Sequence, residues 1–220
     1  MSWRAVIFDC DGVLVDSEPQ ANRTLSEVLG EHGVRMTPEE CRAAFVGLNP
    51  TGVAKKLLEL KGVDLRATLP GETVPRFMAL LEREGVAAVP GAAEAVEMCR
   101  ARGLAVAVAS NSPLAELALK LRLSGIGPLV GEHFYSGDAL GRSKPDPGVY
   151  LHAAARLGVA PGACAVIEDS ATGVKAGVAA GMRVLGFTGT HDGAHSAEVL
   201  LNAGAERTYH SHAQLEKLLG

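Results

Sequence analysis

Four carboxylates in this sequence directly follow short apolar runs, where they could take part in chemistry together. Asp9 and Asp11 follow the first apolar run, and Glu168 and Asp169 follow another at 163–167. Residues two apart on an extended chain share a face, so Asp9 and Asp11 can reach one reacting atom. Carboxylates brought together repel each other and lose solvation unless a cation neutralises them. Hard oxygen ligands favour Mg²⁺, and we therefore predict a magnesium site.

Groups that can hold a phosphate lie between these acidic pairs. The Ser110 hydroxyl, the backbone amide of Asn111 and the Lys144 ammonium can each contact phosphate oxygens. Taken singly, they have simpler explanations, namely a turn in which Ser112 caps the next helix, and a solvated loop lysine. We predict the Ser112 cap, and we also predict that the other three residues form a phosphate cradle.

The elements that would position these residues follow an alternating pattern. Apolar runs of strand length lie at 4–9, 104–109, 163–167 and 182–187, with helical patterns between them. This alternation predicts an α/β fold with a Rossmann-like parallel sheet. Ligands of such sheets bind beyond the carboxyl ends of the strands, so the polar clusters are expected to meet at one edge.

A helical block interrupts this pattern after the first strand. Between Ser17 and Glu84 the strand signal disappears, and amphipathic patterns predict four or five helices broken at Gly33, at 47–50 and at Gly62. We predict a core domain of residues 1–16 and 86–220. Residues 17–85 are expected to form an inserted α-helical cap domain, joined to the core by two short linkers.

Composition argues against several other classes of protein. The 220 residues carry a net charge of −4 without a long basic run, so nucleic acid is not an expected partner. The four cysteines are widely spaced, match no zinc pattern and indicate free thiols. The N-terminus does not look like a signal peptide, and no apolar stretch has membrane-spanning length, so we expect a cytoplasmic protein with no membrane partner.

The motifs, taken in order, resemble those of the haloacid dehalogenase superfamily. D-C-D-G-V-L-V-D-S-E begins at Asp9, and S-N-S, K-P-D-P and E-D-S-A-T-G-V-K-A-G follow at 110–112, 144–147 and 168–177. Each motif alone is a weak signal, whereas the joint pattern is specific and spans most of the chain. The helical block is similar to the small α-helical cap of this superfamily.

The resemblance implies a role for each matched residue. Asp9 would attack phosphorus and form an aspartyl-phosphate, while Asp11 would protonate the leaving oxygen and later deprotonate the attacking water. The Asp9 side chain, the Asp11 backbone carbonyl and Asp169 would bind Mg²⁺, with Glu168 acting through a water. Lys144 would add positive charge beside the transferring phosphoryl group.

These roles imply a phosphatase acting on a small phosphorylated metabolite, namely a sugar phosphate or sugar-acid phosphate. The motifs most resemble those of 6-phosphogluconate phosphatases and β-phosphoglucomutase-like phosphatases. A β-phosphoglucomutase-type mutase is the alternative, but Ala21 stands where that group has a histidine, and Asn49-Pro50 stands in place of its Ser-Arg. A non-catalytic phosphometabolite-binding protein is a further alternative, and a dehalogenase fits the carboxylates less well. We expect a monomer or a weak homodimer.

Several other residues have two explanations each. Glu18 is a substrate contact or an acid at a helix N-terminus, and Asn49 is a substrate contact or part of a helix-breaking turn. Cys10 is expected to point away from the two aspartates and into the core. Histidines near the C-terminus match no metal-site spacing, so we expect surface or packing roles for them. They are His191, His195, His210 and His212.

Overall fold

A computed structural model describes residues 3–45, 48–189 and 196–220 of the chain. Its internal contacts divide the polypeptide into two compact units. The core unit comprises Met1–Asp16 with Val86–Gly220, and the helical unit comprises Ser17–Gly85. All four motifs that carry the predicted chemistry begin in the core unit.

A sheet of six parallel strands forms the centre of the core unit. From one edge to the other, the strands are β5 (Phe134–Ser136), β4 (Ala105–Ser110), β1 (Ala5–Phe8), β6 (Cys164–Glu168), β7 (Arg183–Phe187) and β8 (Arg207–Tyr209). Two further strands pair antiparallel where the chain leaves and re-enters this unit. They are β2 (Val15–Asp16) and β3 (Ala87–Ala88).

The central position of β1 explains its uniformly apolar sequence. Ile7 lies opposite Ala107 of β4 on one side and opposite Val166 of β6 on the other. All four residues of β1 are buried, as expected where helices cover both faces of a parallel sheet. The four predicted strands correspond to β1, β4, β6 and β7, and the predicted α/β fold is confirmed. β5 and β8 were not predicted, because three residues each are too few to show a periodic pattern.

Helices connect and cover these strands. In the core unit they are α5 (Ala92–Ala101), α6 (Leu114–Leu123), α7 (Gly127–Val130), α8 (Gly148–Leu157), α9 (Ala171–Ala179), α10 (Ala197–Ala203) and α11 (Leu215–Leu218). The ends of two of them follow the sequence signals. Ser170 caps α9 by accepting a hydrogen bond from the Gly173 N–H at 3.0 Å, and Gly158 ends α8 in the left-handed conformation.

The core between sheet and helices places one polar group deep in the protein. Val149 of α8 and Val174 of α9 pack in one buried cluster with Ile7 and Val166 of the sheet. Burying each such side chain contributes about 1.5–3 kcal/mol relative to leaving it exposed. Tyr150 is fully buried in the same cluster. Its hydroxyl therefore needs a hydrogen-bond partner, which it finds in the site described below.

The described part of the helical unit contains four helices around a core of their own. They are α1 (Glu18–Glu31), α2 (Pro38–Phe45), α3 (Pro50–Lys61) and α4 (Leu69–Glu84). Buried side chains from all four, including Leu29, Phe45 and Leu57, form one apolar cluster. The chain breaks at Gly33 and Gly62 as predicted, both at positive φ. Gly47, part of the third predicted break, lies outside the described residues.

None of the helices within 3–45, 48–189 and 196–220 combines the length and the apolar character needed to cross a membrane. All four cysteines are free and buried, as the sequence indicated. Burial raises the pKa of the Cys41 and Cys164 thiols to about 11 and that of Cys99 to about 12. These groups are therefore neutral at physiological pH.

Candidate active site

Three of the predicted site residues lie side by side at the carboxyl ends of the central strands. Asp9 follows β1, Ser110 ends β4 and Glu168 ends β6, and β1 lies between the other two strands. All three residues are buried, with exposed fractions of 9%, 2% and 0%. Open parallel sheets bind ligands at this edge.

Lys144 reaches the same edge from the loop between β5 and α8. Its Nζ lies 2.5 Å from Asp9 Oδ1 and 2.7 Å from Glu168 Oε1, and it donates to the Ala109 carbonyl at 2.8 Å. The residue is 7% exposed, so the solvated-loop explanation is wrong. Burial disfavours the ammonium, but the two carboxylates outweigh this cost and raise the pKa of Lys144. The site therefore contains a permanent positive charge beside Asp9.

The side chain of Asn111 fixes the backbone that carries Lys144. Asn111 Nδ2 donates to the Lys144 carbonyl at 3.2 Å, and Oδ1 accepts from the Lys144 N–H at 2.7 Å. The peptide bond between Lys144 and Pro145 is cis. Only the backbone amide of Asn111 was predicted to belong to the site, and the contact of its side chain with Lys144 was not predicted.

Glu168 is held through both carboxylate oxygens. Oε1 accepts from Lys144 and from the Tyr150 hydroxyl at 2.7 Å, while Oε2 accepts from the Ser170 N–H at 3.1 Å and hydroxyl at 2.9 Å. Burial opposes ionisation of Glu168, but the ammonium and these donors outweigh it and lower the pKa of this carboxyl. Gly173 makes room for the arrangement, because a Cβ there would lie 1.7 Å from Glu168 Oε1. Glu168 is thus a fixed anion that orients Lys144.

Three carboxylates form a cluster with the donor atoms of a metal site. One oxygen each of Asp9, Glu168 and Asp169 lies within 4.8 Å of the others. Burial raises the pKa of Asp9 to about 7 in spite of Lys144, and the negative charges of Glu168 and Asp11 add to the effect. Hard oxygen donors carrying more negative charge than one ammonium can neutralise fit a divalent cation.

A second buried lysine contacts Asp11. Lys120 of α6 lies with its Nζ 2.7 Å from Asp11 Oδ1 and forms an ion pair with Glu116, one turn earlier on the helix. Ser112 Oγ lies 3.1 Å from both Asp11 Oδ2 and Lys120 Nζ, and 3.0 Å from Glu116 Oε1. Burial disfavours the Lys120 ammonium, but the two carboxylates raise its pKa above the ordinary value. Asp11 therefore has its own cationic partner, distinct from Lys144.

The predicted N-cap role of Ser112 is wrong. The helix begins at Leu114, and Pro113 occupies the N-cap position without a side-chain hydrogen bond. The Ser112 hydroxyl instead contacts the charged groups of Asp11, Glu116 and Lys120, which are stronger hydrogen-bond partners than a neutral amide. Its backbone is held by its N–H, which donates to Ser110 Oγ at 3.0 Å, and by its carbonyl, which accepts from Ser136 Oγ at 2.6 Å.

Two predicted substrate contacts lie in the helical unit. Asn49 is the N-cap of α3, where its Oδ1 accepts from the Gly52 N–H at 2.9 Å. Glu18 is the first residue of α1, in the first turn that favours an acid. Both positions agree with the simpler explanations, and the roles as substrate contacts stay predictions.

The histidines and Cys10 fall where the sequence placed them, so far as they are described. His212 is buried, stacks on the Phe187 ring at 4.3 Å and lies with Nε2 2.8 Å from the Val13 carbonyl. His210 is exposed, and Cys10 is fully buried. His191 and His195 lie outside the described residues.

Lys120 and Glu116 were not predicted as residues of the site, although the sequence contains a signal for them. The two are four residues apart on one helix, and Leu117 and Leu121, one residue further on, are both buried. A Glu–Lys pair at this spacing usually lies on a solvated face. Only its place directly after the S-N-S motif indicates that this pair faces the site.

Residues 3–181 match the sequence model of the haloacid dehalogenase-like hydrolase family. With the site at the carboxyl edge of a parallel sheet, this match shows that the chain belongs to that family. The predicted superfamily is thereby confirmed.

Some individual relatives within this family of hydrolases are named as phosphatases. The chain is 35% identical to hexitol phosphatase B of Escherichia coli (strain K12), over 81% of this chain and 81% of that protein. It is 31% identical to 6-phosphogluconate phosphatase of the same strain, over 83% of this chain and 81% of that protein. It is also 33% identical to Protein SUPPRESSOR OF QUENCHING 1, chloroplastic, of Arabidopsis thaliana over 97% of this chain. The chain spans 22% of the length of that plant protein and 65% of the length of a CBBY-like protein from the same plant.

A solved structure with the same fold comes from Deinococcus radiodurans R1. It is a HAD family hydrolase with bound phosphate and sodium, and it aligns with a TM-score of 0.77 and 38% identity over 99% of this chain and 95% of that chain. The two Escherichia coli relatives that are named as phosphatases support the predicted enzyme class, phosphoric monoester hydrolase.

Proposed function

We propose that this protein is a Mg²⁺-dependent phosphatase that hydrolyses a small phosphomonoester through an aspartyl-phosphate formed on Asp9. The observation that carries this proposal is the buried contact of Lys144 with Asp9 and Glu168 beside Asp169. A potential nucleophile, a permanent cation and a set of hard oxygen donors occupy one edge of the sheet. Phosphoryl transfer needs these groups together.

Asp9 is proposed as the nucleophile because its carboxylate is fixed beside a positive charge. Attack of an Asp9 oxygen on phosphorus forms the aspartyl-phosphate and releases the alcohol, and water then displaces phosphate and restores the carboxylate. The Lys144 ammonium would also stabilise the negative charge that gathers on the phosphoryl oxygens. Because Asn111 and Glu168 hold Lys144 at both its backbone and its ammonium, this charge needs little rearrangement.

Asp11 is proposed as the general acid and base. It would give a proton to the leaving ester oxygen and then take one from the attacking water. The Ser110 hydroxyl can accept a hydrogen bond and donate another, so it can hold a phosphate oxygen while accepting from the Ser112 N–H. The Asn111 backbone amide is the second proposed phosphate contact.

The carboxylates of Asp9 and Asp169, with the Asp11 backbone carbonyl, would hold Mg²⁺. Glu168 would act through a water, since its oxygens already accept four hydrogen bonds from the protein. Bound Mg²⁺ would neutralise negative charge between nucleophile and phosphate, so that one anion can approach another. The raised pKa of Asp9 supports this assignment, because a nearby divalent cation would keep the carboxylate ionised.

For the substrate, we propose a sugar phosphate or sugar-acid phosphate. The names hexitol phosphatase and 6-phosphogluconate phosphatase, carried by relatives more than 30% identical, support this class. The phosphate bound to the Deinococcus radiodurans relative supports the phosphate site. Glu18 and Asn49 are the proposed further contacts of the sugar portion.

The test is phosphate release from a panel of a hexitol phosphate, an aldose phosphate, 6-phosphogluconate, phosphoglycolate and a nucleoside monophosphate. We expect release from the hexitol, aldose or sugar-acid compounds in the presence of Mg²⁺, and loss of release with EDTA. Asp9→Asn should abolish turnover while leaving the fold unchanged by circular dichroism.

A matched control is Asp64→Asn, which makes the same change at an exposed aspartate paired with Arg66 in the helical unit. It should keep wild-type turnover. Near-normal activity of Asp9→Asn would overturn the nucleophile assignment. Formation of an isomerised phosphosugar without phosphate release would overturn the phosphatase in favour of a mutase, and binding without any reaction would favour a non-catalytic protein.

A further inference from the structure

We propose that Lys120 is a positioning residue for Asp11, whose carboxylate it holds, together with Ser112, in the orientation needed for proton transfer to the leaving oxygen. The inference rests on the proposed function, because Asp11 acts as a general acid in that reaction. It adds to that reaction a residue that does not itself contact the phosphate.

Burial is the first observation that requires an explanation. The side chain of Lys120 is 3% exposed, although lysines on helices ordinarily keep the ammonium in water. Lys144 already supplies a cation at Asp9, so the proposed chemistry does not account for a second buried ammonium. The contacts of Lys120 assign it to Asp11 instead.

The two oxygens of Asp11 are held separately. Oδ1 lies 2.7 Å from Lys120 Nζ, and Oδ2 lies 3.1 Å from Ser112 Oγ. A carboxylate bound at one oxygen can still rotate about its Cβ–Cγ bond, whereas contacts at both oxygens fix its plane. Proton transfer depends on such alignment between the acid and the leaving oxygen.

Lys120 is in turn held by a partner that does not depend on Asp11. Glu116 lies one turn earlier on α6 and pairs with the same ammonium, and Ser112 Oγ accepts from it at 3.1 Å. Asp11 gives a proton to the leaving oxygen and regains one from water in each cycle. Through both steps Glu116 keeps Lys120 in place, so Asp11 returns to the same position.

The test compares two phosphate esters of similar size, phenyl phosphate and p-nitrophenyl phosphate, in the Mg²⁺-loaded enzyme. Phenolate is the poorer leaving group and depends more on the acid. In Lys120→Met we expect kcat/KM for phenyl phosphate to fall about 100-fold. The value for p-nitrophenyl phosphate should fall less than about 10-fold. Lys120→Arg should restore most of the loss, because it again places a cation beside Asp11.

A double-substitution cycle shows whether Lys120 acts through Asp11. Asp11→Asn should give the same dependence on the leaving group, and adding Lys120→Met to it should cause little further loss. Lys175→Met is the matched control, since Lys175 is exposed on α9, and it should leave both esters unaffected. Equal losses for both esters in Lys120→Met, or full additivity with Asp11→Asn, would overturn the proposal.

Two further results keep the outcomes distinct. If Lys120→Met does not fold, the double variant Glu116→Leu with Lys120→Met removes both charges of the buried pair and is measured in its place. The same dependence on the leaving group is expected, and its absence overturns the proposal. If the wild-type enzyme hydrolyses neither ester nor any compound of the sugar phosphate panel, it is the proposed function that fails.

Discussion

Lys144 and Lys120 are both almost fully buried, and each contacts one aspartate of the site, but they are held by different kinds of structure. Lys144 lies on a loop and is held by residues that are distant in the sequence, by Asn111 at its backbone and by Glu168 at its ammonium. Lys120 lies on a helix and is fixed by Glu116, one turn away. The position of Lys144 therefore depends on contacts between separate segments at the edge of the sheet. The position of Lys120 depends on a contact within one helix.

The surroundings of the two lysines differ as well. The side chains of Asp9 and Glu168 beside Lys144 are 12% and 0% exposed, whereas those of Asp11 and Glu116 beside Lys120 are 33% and 9% exposed. Water can partly solvate Asp11 if its partner is lost, but it cannot reach Glu168. The Lys144 network should therefore be the more costly of the two to break.

The largest effect is expected from removing the Lys144 ammonium. Lys144→Met leaves two buried carboxylates without their cation, so the free energy of unfolding should fall by about 3–5 kcal/mol. Turnover should fall at least about 100-fold, because a charge beside the phosphoryl group is also lost. Urea unfolding without added Mg²⁺, together with steady-state kinetics, would measure both.

Lys120→Met serves as the comparison for this variant. Its loss of unfolding free energy should be at least about 1 kcal/mol smaller, because Asp11 remains partly hydrated and only Glu116 is left as a buried carboxylate without its cation. Equal losses in the two variants would show that burial does not distinguish the two networks.

A smaller effect is expected from crowding Glu168 without removing any charge. In Gly173→Ala the new methyl would overlap Glu168 Oε1, so the carboxylate must move away from Lys144. We expect a loss of about 1–3 kcal/mol in unfolding free energy, with a drop in kcat. Gly71→Ala is the control, since a Cβ at Gly71 in α4 meets nothing within 4 Å. It should be neutral or stabilising; a Gly173→Ala enzyme as stable and active as this control would contradict the assigned role of Glu168.

A milder change tests the hydrogen bond behind the same network. Tyr150→Phe removes the buried donor to Glu168 Oε1 and should lower the unfolding free energy by about 1–3 kcal/mol. Lys144 and Ser170 still hold the carboxylate, so turnover should fall less than in Gly173→Ala. Tyr135→Phe removes a hydroxyl that lies 3.0 Å from His133 Nδ1 in a half-buried place, and its smaller loss of stability sets the baseline. The two losses should differ, and equality would contradict the importance of burial here.

The smallest effect is expected from His212, which contacts the loop that follows Asp11. The effect is a dependence of protein stability on pH. Burial lowers the pKa of His212 below 6.5 in the folded protein, and Nδ1 has no hydrogen-bond partner among the described residues. Below about pH 6.5 the unfolded chain therefore binds more protons than the folded protein does. The free energy of unfolding falls as the pH falls from the His212 pKa of the unfolded chain toward the lower His212 pKa of the folded protein. His212→Gln, which can still donate to Val13, should show a weaker fall between about pH 7.5 and 5.5 in thermal unfolding. Identical profiles for wild type and variant would exclude His212 as the source.

The two networks also differ in how far they could be predicted from the sequence. Asp9 and Glu168 were predicted because each sits in a motif at the end of a strand, and a parallel sheet brings such ends together. Lys144 was predicted from its motif in the loop between the second and fourth motifs. Lys120 carries no such mark. A lysine on an amphipathic helix is ordinarily at the surface, and its burial depends on how α6 packs, which periodicity does not determine.

The same limit explains the errors at single residues. Ser112 before a proline has the pattern of a helix cap, but two charged partners, Asp11 from a distant segment and Glu116 from the next helix, compete for its hydroxyl. Asn111 was assigned only through its backbone amide, because its side-chain partner lies 33 residues away in a loop of irregular structure. Long-range hydrogen bonds between loops leave no periodic signal in a sequence.

The burial of all four thiols gives the folded protein an unusual experimental convenience. Cys10, Cys41, Cys99 and Cys164 are all enclosed and protonated when the chain is folded, and thiol reagents attack accessible thiolates. The absorbance change of a chromogenic thiol reagent therefore reports the molecules in which a cysteine has become accessible. The rate of the thiol reaction reports how often each region opens. For the same reason, a cysteine introduced at the surface would accept a fluorescent label selectively, with the natural cysteines left in place.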